Sequence, residues 1–447
     1  MSASVALRQR GQFALLLRTI LQQARSLPTW QEPDRRNLRL WRALILAVLV
    51  QRSTRLLVLA RALRAIRRAH SVKSLAQGLS YFFTAAKCPV ATLSPLLLRA
   101  ALATLDPTRL VRYRGHLLLV IDGTDYPKRS RGLGTADRQM QYIGRVRANK
   151  GKTKAKEAST TPGYVDLWAG VVLKGKRFLP LARRLYSSAH PDVASQNQVE
   201  EAVLEAARAQ LQCLGHSCIV VGDRGFGRKA LLIRLANAGQ PFVLRLDPDI
   251  TVHRFYEDAD FQLAALLAEQ PWLGEVVWQR GERGRLVCRA RKVRGTISYT
   301  TGRKVDTVTA SMTFVQLVPL DGRVAPLVVA TTLPVHSRVD AQGIAQVYAQ
   351  RWAVETAFET MKSWGLGRFM VRQWGAIDRL VWSVAVAYAV ATLALYLPTV
   401  RRFRVHAEQV LRAWGVVGRG LSAGKVAEAL GLDFQRHRRA WFAAWLC

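Results

Sequence analysis

The spacing of apolar residues changes several times along this chain, and each change predicts a different element. Apolar positions recur at helical intervals through Phe13–Ala24, Leu38–Val50 and Leu56–Ile66, with arginines between the faces. Ser71 is placed to cap a further helix, and Ser71–Ser80 reads either as the opening of a helix-turn-helix or as part of a plain helical bundle. Two short continuous runs follow, His116-Leu-Leu-Leu-Val-Ile-Asp122 and Cys218-Ile-Val-Val-Gly-Asp223. Aliphatic runs of that length, bounded by glycine, predict buried strands. From 250 to 330 the segments Gly274–Gln279, Arg285–Arg291, Val308–Val318 and Leu327–Thr332 read as strands separated by turns. The helical period then returns over Tyr348–Lys362 and Val381–Leu397, and residues 400–447 form a basic helical tail.

The second of those late helical stretches is long enough to raise a membrane span, but it is rich in alanine, contains Ser383 and Thr392, and stands alone in a highly charged chain. A helix buried behind a sheet is the expectation. Half of the residues are hydrophobic, enough to bury cores, and 447 residues predict roughly two to four structural units.

Candidate chemistry concentrates in the segment Tyr348–Lys362. On one continuous helix Arg351, Glu355 and Lys362 would fall at about −60°, −20° and −40° from Tyr348, one narrow stripe. A solvated face with an Arg351–Glu355 pair would look the same. The two upstream runs change the weighing, because each ends in an aspartate, and strand exits are where α/β folds hold their chemistry. Each aspartate is also a common turn and cap residue. Asp125, three residues after Asp122, is an alternative to it. Glu359, near +20°, shares the face of Glu355, and on that face could pair with Lys362.

The order and spacing of these residues resemble the bacterial DDE transposases of the insertion-sequence-four family. Their signature, Tyr-x2-Arg-x3-Glu-x6-Lys, is matched by Tyr348, Arg351, Glu355 and Lys362, and Ile121-Asp122-Gly-Thr and Gly222-Asp-Arg-Gly-Phe226 resemble the surroundings of the first two acids. The resemblance runs from about 115 to 395. It implies an α/β fold: an RNase H-like catalytic core interrupted by a β-rich insertion, with a helical DNA-binding domain before it and a helical tail after it. On that pattern 1–112 is the DNA-binding unit, 113–250 and 333–399 the two parts of the core, 251–332 the insertion and 400–447 the C-terminal region. The resemblance further implies that Asp122, Asp223 and Glu355 hold two Mg²⁺ ions, with Mn²⁺ able to substitute, and that Tyr348, Arg351 and Lys362 orient terminal phosphates. It implies cut-and-paste transposition on double-stranded DNA, terminal repeats and target, by a homodimer in a synaptic complex. Some relatives stack an insertion tryptophan on a flipped base, for which Trp272 and Trp278 are the candidates, beside the plainer reading as core residues. An RNase H-like nuclease or resolvase that cuts without joining, and a silent domesticated DNA-binding protein, are the alternatives.

Composition agrees on the partner. With 67 Lys and Arg against 30 Asp and Glu the formal charge is +37, which favours a polyanion. Lys128–Lys156 is a basic stretch with few acids, expected to be a mobile loop that orders on a phosphate backbone through Lys150, Lys152, Lys154 and Lys156. A second basic cluster spans Arg280–Arg294. Five scattered cysteines fit reduced thiols in a cytoplasmic protein, and Cys213, His216 and Cys218 lack a second ligand pair for zinc. The opening residues lack the pattern of a secretory signal. Two letter matches fail on context. Gly222–Lys229 has Arg228 where a P-loop needs lysine, and Gly420–Gly424 has no strand before Ser422, which is expected to cap a helix.

Overall fold

The structure, a computed structural model, describes the chain apart from residues 1–2, 65–69, 86–88, 129–139, 148–159, 194, 254–258, 281–283, 302–305, 417–419 and 447. Lys150, Lys152, Lys154 and Lys156 therefore lie outside the described residues.

Five helices come first: α1 (Ala3–Arg25), α2 (Arg35–Gln51), α3 (Leu56–Leu63), α4 (Val72–Thr84) and α5 (Val90–Ala103). Their starts follow local capping chemistry. Asp34 accepts from the amides of Arg36 and Asn37 ahead of α2, and Ser71 Oγ accepts from Ser74 N ahead of α4. The chain then enters one large mixed sheet. Its strands are β1 (Arg112–Tyr113), β2 (His116–Pro127), β3 (Gly144–Arg147), β4 (Thr160–Leu173), β5 (Arg177–Tyr186), β6 (Cys218–Gly222), β7 (Phe242–Arg245), β8 (Thr251–His253), β9 (Asp260–Gln262), β10 (Gly274–Gln279), β11 (Arg285–Thr301), β12 (Asp306–Pro319) and β13 (Leu327–Thr331). The main path is β3-β4-β2-β6-β7-β13-β12-β11-β8-β9, with β1 on β2, β5 on β4 and β10 on β11. The strands of 251–332 thus join the same sheet as the strands before them, through the pairing of β13 with β7.

Leu117–Ile121 is buried at every position, the pattern of a strand covered on both faces. β2 pairs parallel with β6 and antiparallel with β4. Between strands run α6 (Gln196–Gln212), α7 (Lys229–Asn237) and α8 (Leu263–Ala268), and after β13 come α9 (Arg338–Ala349), α10 (Trp352–Ser363), α11 (Trp374–Leu393), α12 (Arg401–Ala413) and α13 (Ala423–Leu446). Ser422 Oγ accepts from Lys425 N at the start of α13. Helix α11 is long and apolar enough to cross a membrane, yet 89% of its apolar window is buried inside the protein, against α2, α5 and β5. α2 and α3 are apolar together, but the chain bends 107° between them.

Three expectations need correction. The segment Tyr348–Lys362 is not one helix: α9 ends at Ala349 and α10 begins at Trp352. The joint is wound more tightly, with Arg351 N donating to Tyr348 O and Val354 N to Arg351 O, three residues apart. That tightening turns Arg351 inward, where it is 9% exposed, so it does not lie on a solvated stripe. Second, β2 does not stop at Asp122. It stays paired with β4 as far as Pro127, while its parallel neighbour β6 ends at Gly222. Third, the Lys128–Lys156 stretch is not all loop, since Gly144–Arg147 forms β3 on the edge of β4.

Candidate active site

Asp122 and Asp223 are brought together by strand register. Ile121 pairs with Gly222 in the parallel β2–β6 ladder, so the next residue of each strand is an aspartate. Gly222 has to be small, because a Cβ there would come within 2.9 Å of Leu244 Cδ2. Asp223 then caps a short 3-10 turn, Arg224–Phe226, through its Oδ1 and Gly225 N (2.9 Å). The turn-capping reading of Asp223 and its place at a strand exit are therefore the same fact. Asp122 is 8% exposed and Oδ1 accepts from Gly123 N at 2.7 Å.

The third acid arrives from α10. Arg351 Nη1 donates to Asp122 Oδ2 at 3.1 Å, and Arg351 Nη2 lies 2.5 Å from Glu355 Oε1. One guanidinium thus joins a strand carboxylate to a helix carboxylate. Glu355 sits in the first turn of α10, where the helix dipole favours an anion. Burial pushes the Asp122 carboxyl up to about 7, the positive charge of Arg351 opposes that, and the negative charge of Asp223 adds to it. The Tyr348 phenol is 3% exposed, and burial raises it above its ordinary value against the pull of Arg351. Lys362 is exposed near the end of α10, and Glu359 is exposed.

A cleft of about 520 Å³ opens over the two aspartates, and Asp122, Asp125, Arg145, Glu200, Asp223 and Arg224 line it. Sequence reading missed Glu200. It is 2% exposed on α6, ion-paired with Arg228, and its Oε1 accepts from Gln196 Nε2 at 2.9 Å. Arg228 also donates to Gly225 O at 2.6 Å, which ties Glu200 to the turn carrying Asp223. The signal was present: Glu200 falls on the stripe of Val203, Leu204, Ala207 and Leu211, an acid where an apolar residue is expected.

A second buried network lies behind the cleft. Asp166 on β4 is fully buried and accepts from Tyr126 Oη (2.7 Å), Trp168 Nε1 (2.6 Å) and Arg183 Nε (2.9 Å). Arg183 reaches on to Asp378 of α11 at 2.6 Å. Lys128, just after β2, donates to the carbonyls of Gly367 (2.7 Å) and Phe369 (3.2 Å) and lies over the Phe369 ring. The first arrangement ties the end of β2 to α11, and the second ties it to the segment between α10 and α11.

A family model described as a transposase DDE domain matches residues 113–390, more than half of the chain. The chain belongs to the DDE transposases. No curated protein matches it. The matched span of the transposase begins at β1 and ends within α11, so it contains all three carboxylates.

Among the described residues no group of three or more His, Cys, Asp or Glu side chains is arranged to hold a metal ion. Yet the donor chemistry suits a hard cation: oxygen ligands, with a buried carboxyl whose ionisation the neighbouring acid resists. Arg351 supplies positive charge between Asp122 and Glu355 in this arrangement. Of the two tryptophans, Trp278 is 5% exposed, and Trp272 is 45% exposed with Arg291 4.6 Å over its ring.

Proposed function

We propose that this transposase binds the terminal repeats of an insertion sequence and moves it by Mg²⁺-dependent cleavage and strand transfer, a cut-and-paste route on an RNase H-like core. The observation that carries the reading is the placing of Asp122 and Asp223 at adjacent positions of two parallel neighbours, β2 and β6, with Arg351 joining Asp122 to Glu355 of α10. Asp122, Asp223 and Glu355 would hold divalent ions, whose Lewis-acid chemistry would serve to activate an attacking water or 3′-hydroxyl and to stabilise a leaving oxygen.

The chain's own residues do the rest. Arg351, once drawn off its carboxylates, offers a planar fork to a phosphate. Lys362 adds a cation at the far end of α10, and Tyr348 buttresses Arg351 from below. Lys150, Lys152, Lys154 and Lys156 supply backbone charge, and a homodimer would hold two ends together. A nuclease that cuts without joining is separated from this reading by one assay. Purified protein is incubated with a terminal-repeat duplex and Mg²⁺, and a precleaved 3′-hydroxyl end is offered a target duplex. Joined products support transposition, cleavage without joining supports the nuclease, and neither product rejects both.

A further inference from the structure

Cations also converge at the other end of the sheet. Arg109 closes a 3-10 turn (Pro107–Arg109), Lys174 and Lys176 belong to the turn from β4 to β5, Arg177 begins β5, and Arg401, Arg402 and Arg404 open α12. The fold fixes this gathering. Lys174 N donates to Arg109 O at 2.8 Å, and Tyr396 Oη donates to the Lys174 carbonyl. Arg177 lies over the Tyr396 ring and donates to Leu421 O at 2.5 Å, while Arg404 Nη1 donates to Leu397 O at 2.7 Å.

A surface cavity of about 370 Å³ is lined by Arg177, Arg401 and Arg404, with Glu408 the one acid among its lining residues. The first turn of α12 carries arginines and no acid, the reverse of what a helix dipole favours. Burial, and then the charges of Arg109 and Arg401, hold Arg404 below its ordinary value. Like charges gathered in this way oppose folding unless an anion joins them.

We infer that this cluster is a second contact for the phosphate backbone of duplex DNA, separate from the cleft over Asp122 and Asp223. Asp122 pairs with Trp168 on β4, and Lys174 lies six residues further along, roughly 20 Å at strand rise. Guanidinium forks suit phosphate oxygens. An anionic membrane would additionally be served by an apolar wedge; Leu395, Val405 and Leu421 also line the cavity, and the vesicle arm of the test separates that surface from duplex DNA. The inference rests on the transposase reading and adds to it where a second stretch of duplex is held.

The test uses the full chain with Lys174→Ala, Lys176→Ala, Arg401→Ala and Arg402→Ala combined, all exposed positions. A single Arg401→Glu serves as a second variant should the combination fold poorly. Binding is measured against salt on duplexes of about 20 and about 60 base pairs, both ending in the terminal repeat. Single-turnover cleavage of the shorter duplex is followed at saturation. The expected result is a salt slope on the longer duplex reduced by about 2 to 4, with affinity falling by roughly ten- to a hundredfold. Affinity for the shorter duplex and its cleavage rate should stay at wild-type values. An unchanged slope on the longer duplex overturns the inference, as does a loss on the shorter duplex that matches the loss on the longer. Binding to anionic vesicles that the variants lose, with duplex binding intact, also overturns it. If the wild-type chain binds neither duplex, the transposase reading fails and this inference falls with it.

Discussion

Arg351 donates to Asp122 with one nitrogen and meets Glu355 with the other, at 3.1 Å and 2.5 Å. The strand acid and the helix acid are thus held in one unit by a cation that belongs to the chain. Removing that cation leaves two acids facing each other across a half-buried site. Arg351→Ala should lower stability without metal by about 1–3 kcal/mol. Mg²⁺ or Mn²⁺ should recover more of the melting temperature in the variant than it adds to the wild type. Thermal melts across a metal titration check this, and equal metal-induced shifts would show that Arg351 and the ion do not share a place.

The Glu200–Arg228 pair braces the turn carrying Asp223 without belonging to the three acids. Glu200→Gln should leave duplex affinity near wild type and slow single-turnover cleavage by roughly ten- to a hundredfold, the scale of a supporting contact around a metal ligand. The dependence of rate on metal concentration should move to higher values. A rate loss with no change in metal dependence would place Glu200 outside the brace.

Asp166 is the hub of the buried network behind the cleft, with Arg183 as its fully buried partner. Asp166→Ala strands a guanidinium and orphans Tyr126 and Trp168, at a cost of about 3–5 kcal/mol. Urea unfolding measures this directly. A loss below about 1 kcal/mol would mean that the network contributes little to the fold.

Lys128 gives a pH dependence with a definite sign. Burial pushes its ammonium down from 10.5 to about 7, against two carbonyl acceptors and the Phe369 ring that favour the proton. A base depressed in the folded state binds fewer protons there than when unfolded. Stability should therefore rise with pH from about 7 toward 10.5. The gain should be missing from Lys128→Met. Parallel stability curves for the two proteins between neutral and mildly alkaline pH would remove the effect.

What could be read from the sequence depended on whether the deciding partners were local. The runs ending at Asp122 and Asp223 stood out because a strand covered on both faces must be apolar throughout. Their mutual register was not readable, since the two strands are separated in the chain by β3, β4, β5 and α6. The break between Tyr348 and Arg351 left no trace in residue type, because every residue there tolerates a helix. It shows only in the tighter backbone bonds around Arg351, which faces Asp122 from across the fold. Asp166 and Glu200 signalled burial by interrupting apolar patterns. Their partners Arg183, Asp378 and Arg228 come from other elements, which pattern alone cannot name.

The central claim is that Asp122, Asp223 and Glu355, and not their near neighbours, act together on DNA. Single-turnover cleavage of a terminal-repeat duplex at saturating Mg²⁺ tests it, comparing Asp122→Asn, Asp223→Asn and Glu355→Gln with Asp125→Asn and Glu359→Gln. Each of the first three should lose at least roughly a thousandfold in rate while still binding the duplex, because each removes a group that stabilises charge developing in the transition state. Asp125→Asn and Glu359→Gln should stay within about a hundredfold of wild type. An active Glu355→Gln beside an inactive Glu359→Gln, or an active Asp122→Asn beside an inactive Asp125→Asn, would contradict the account.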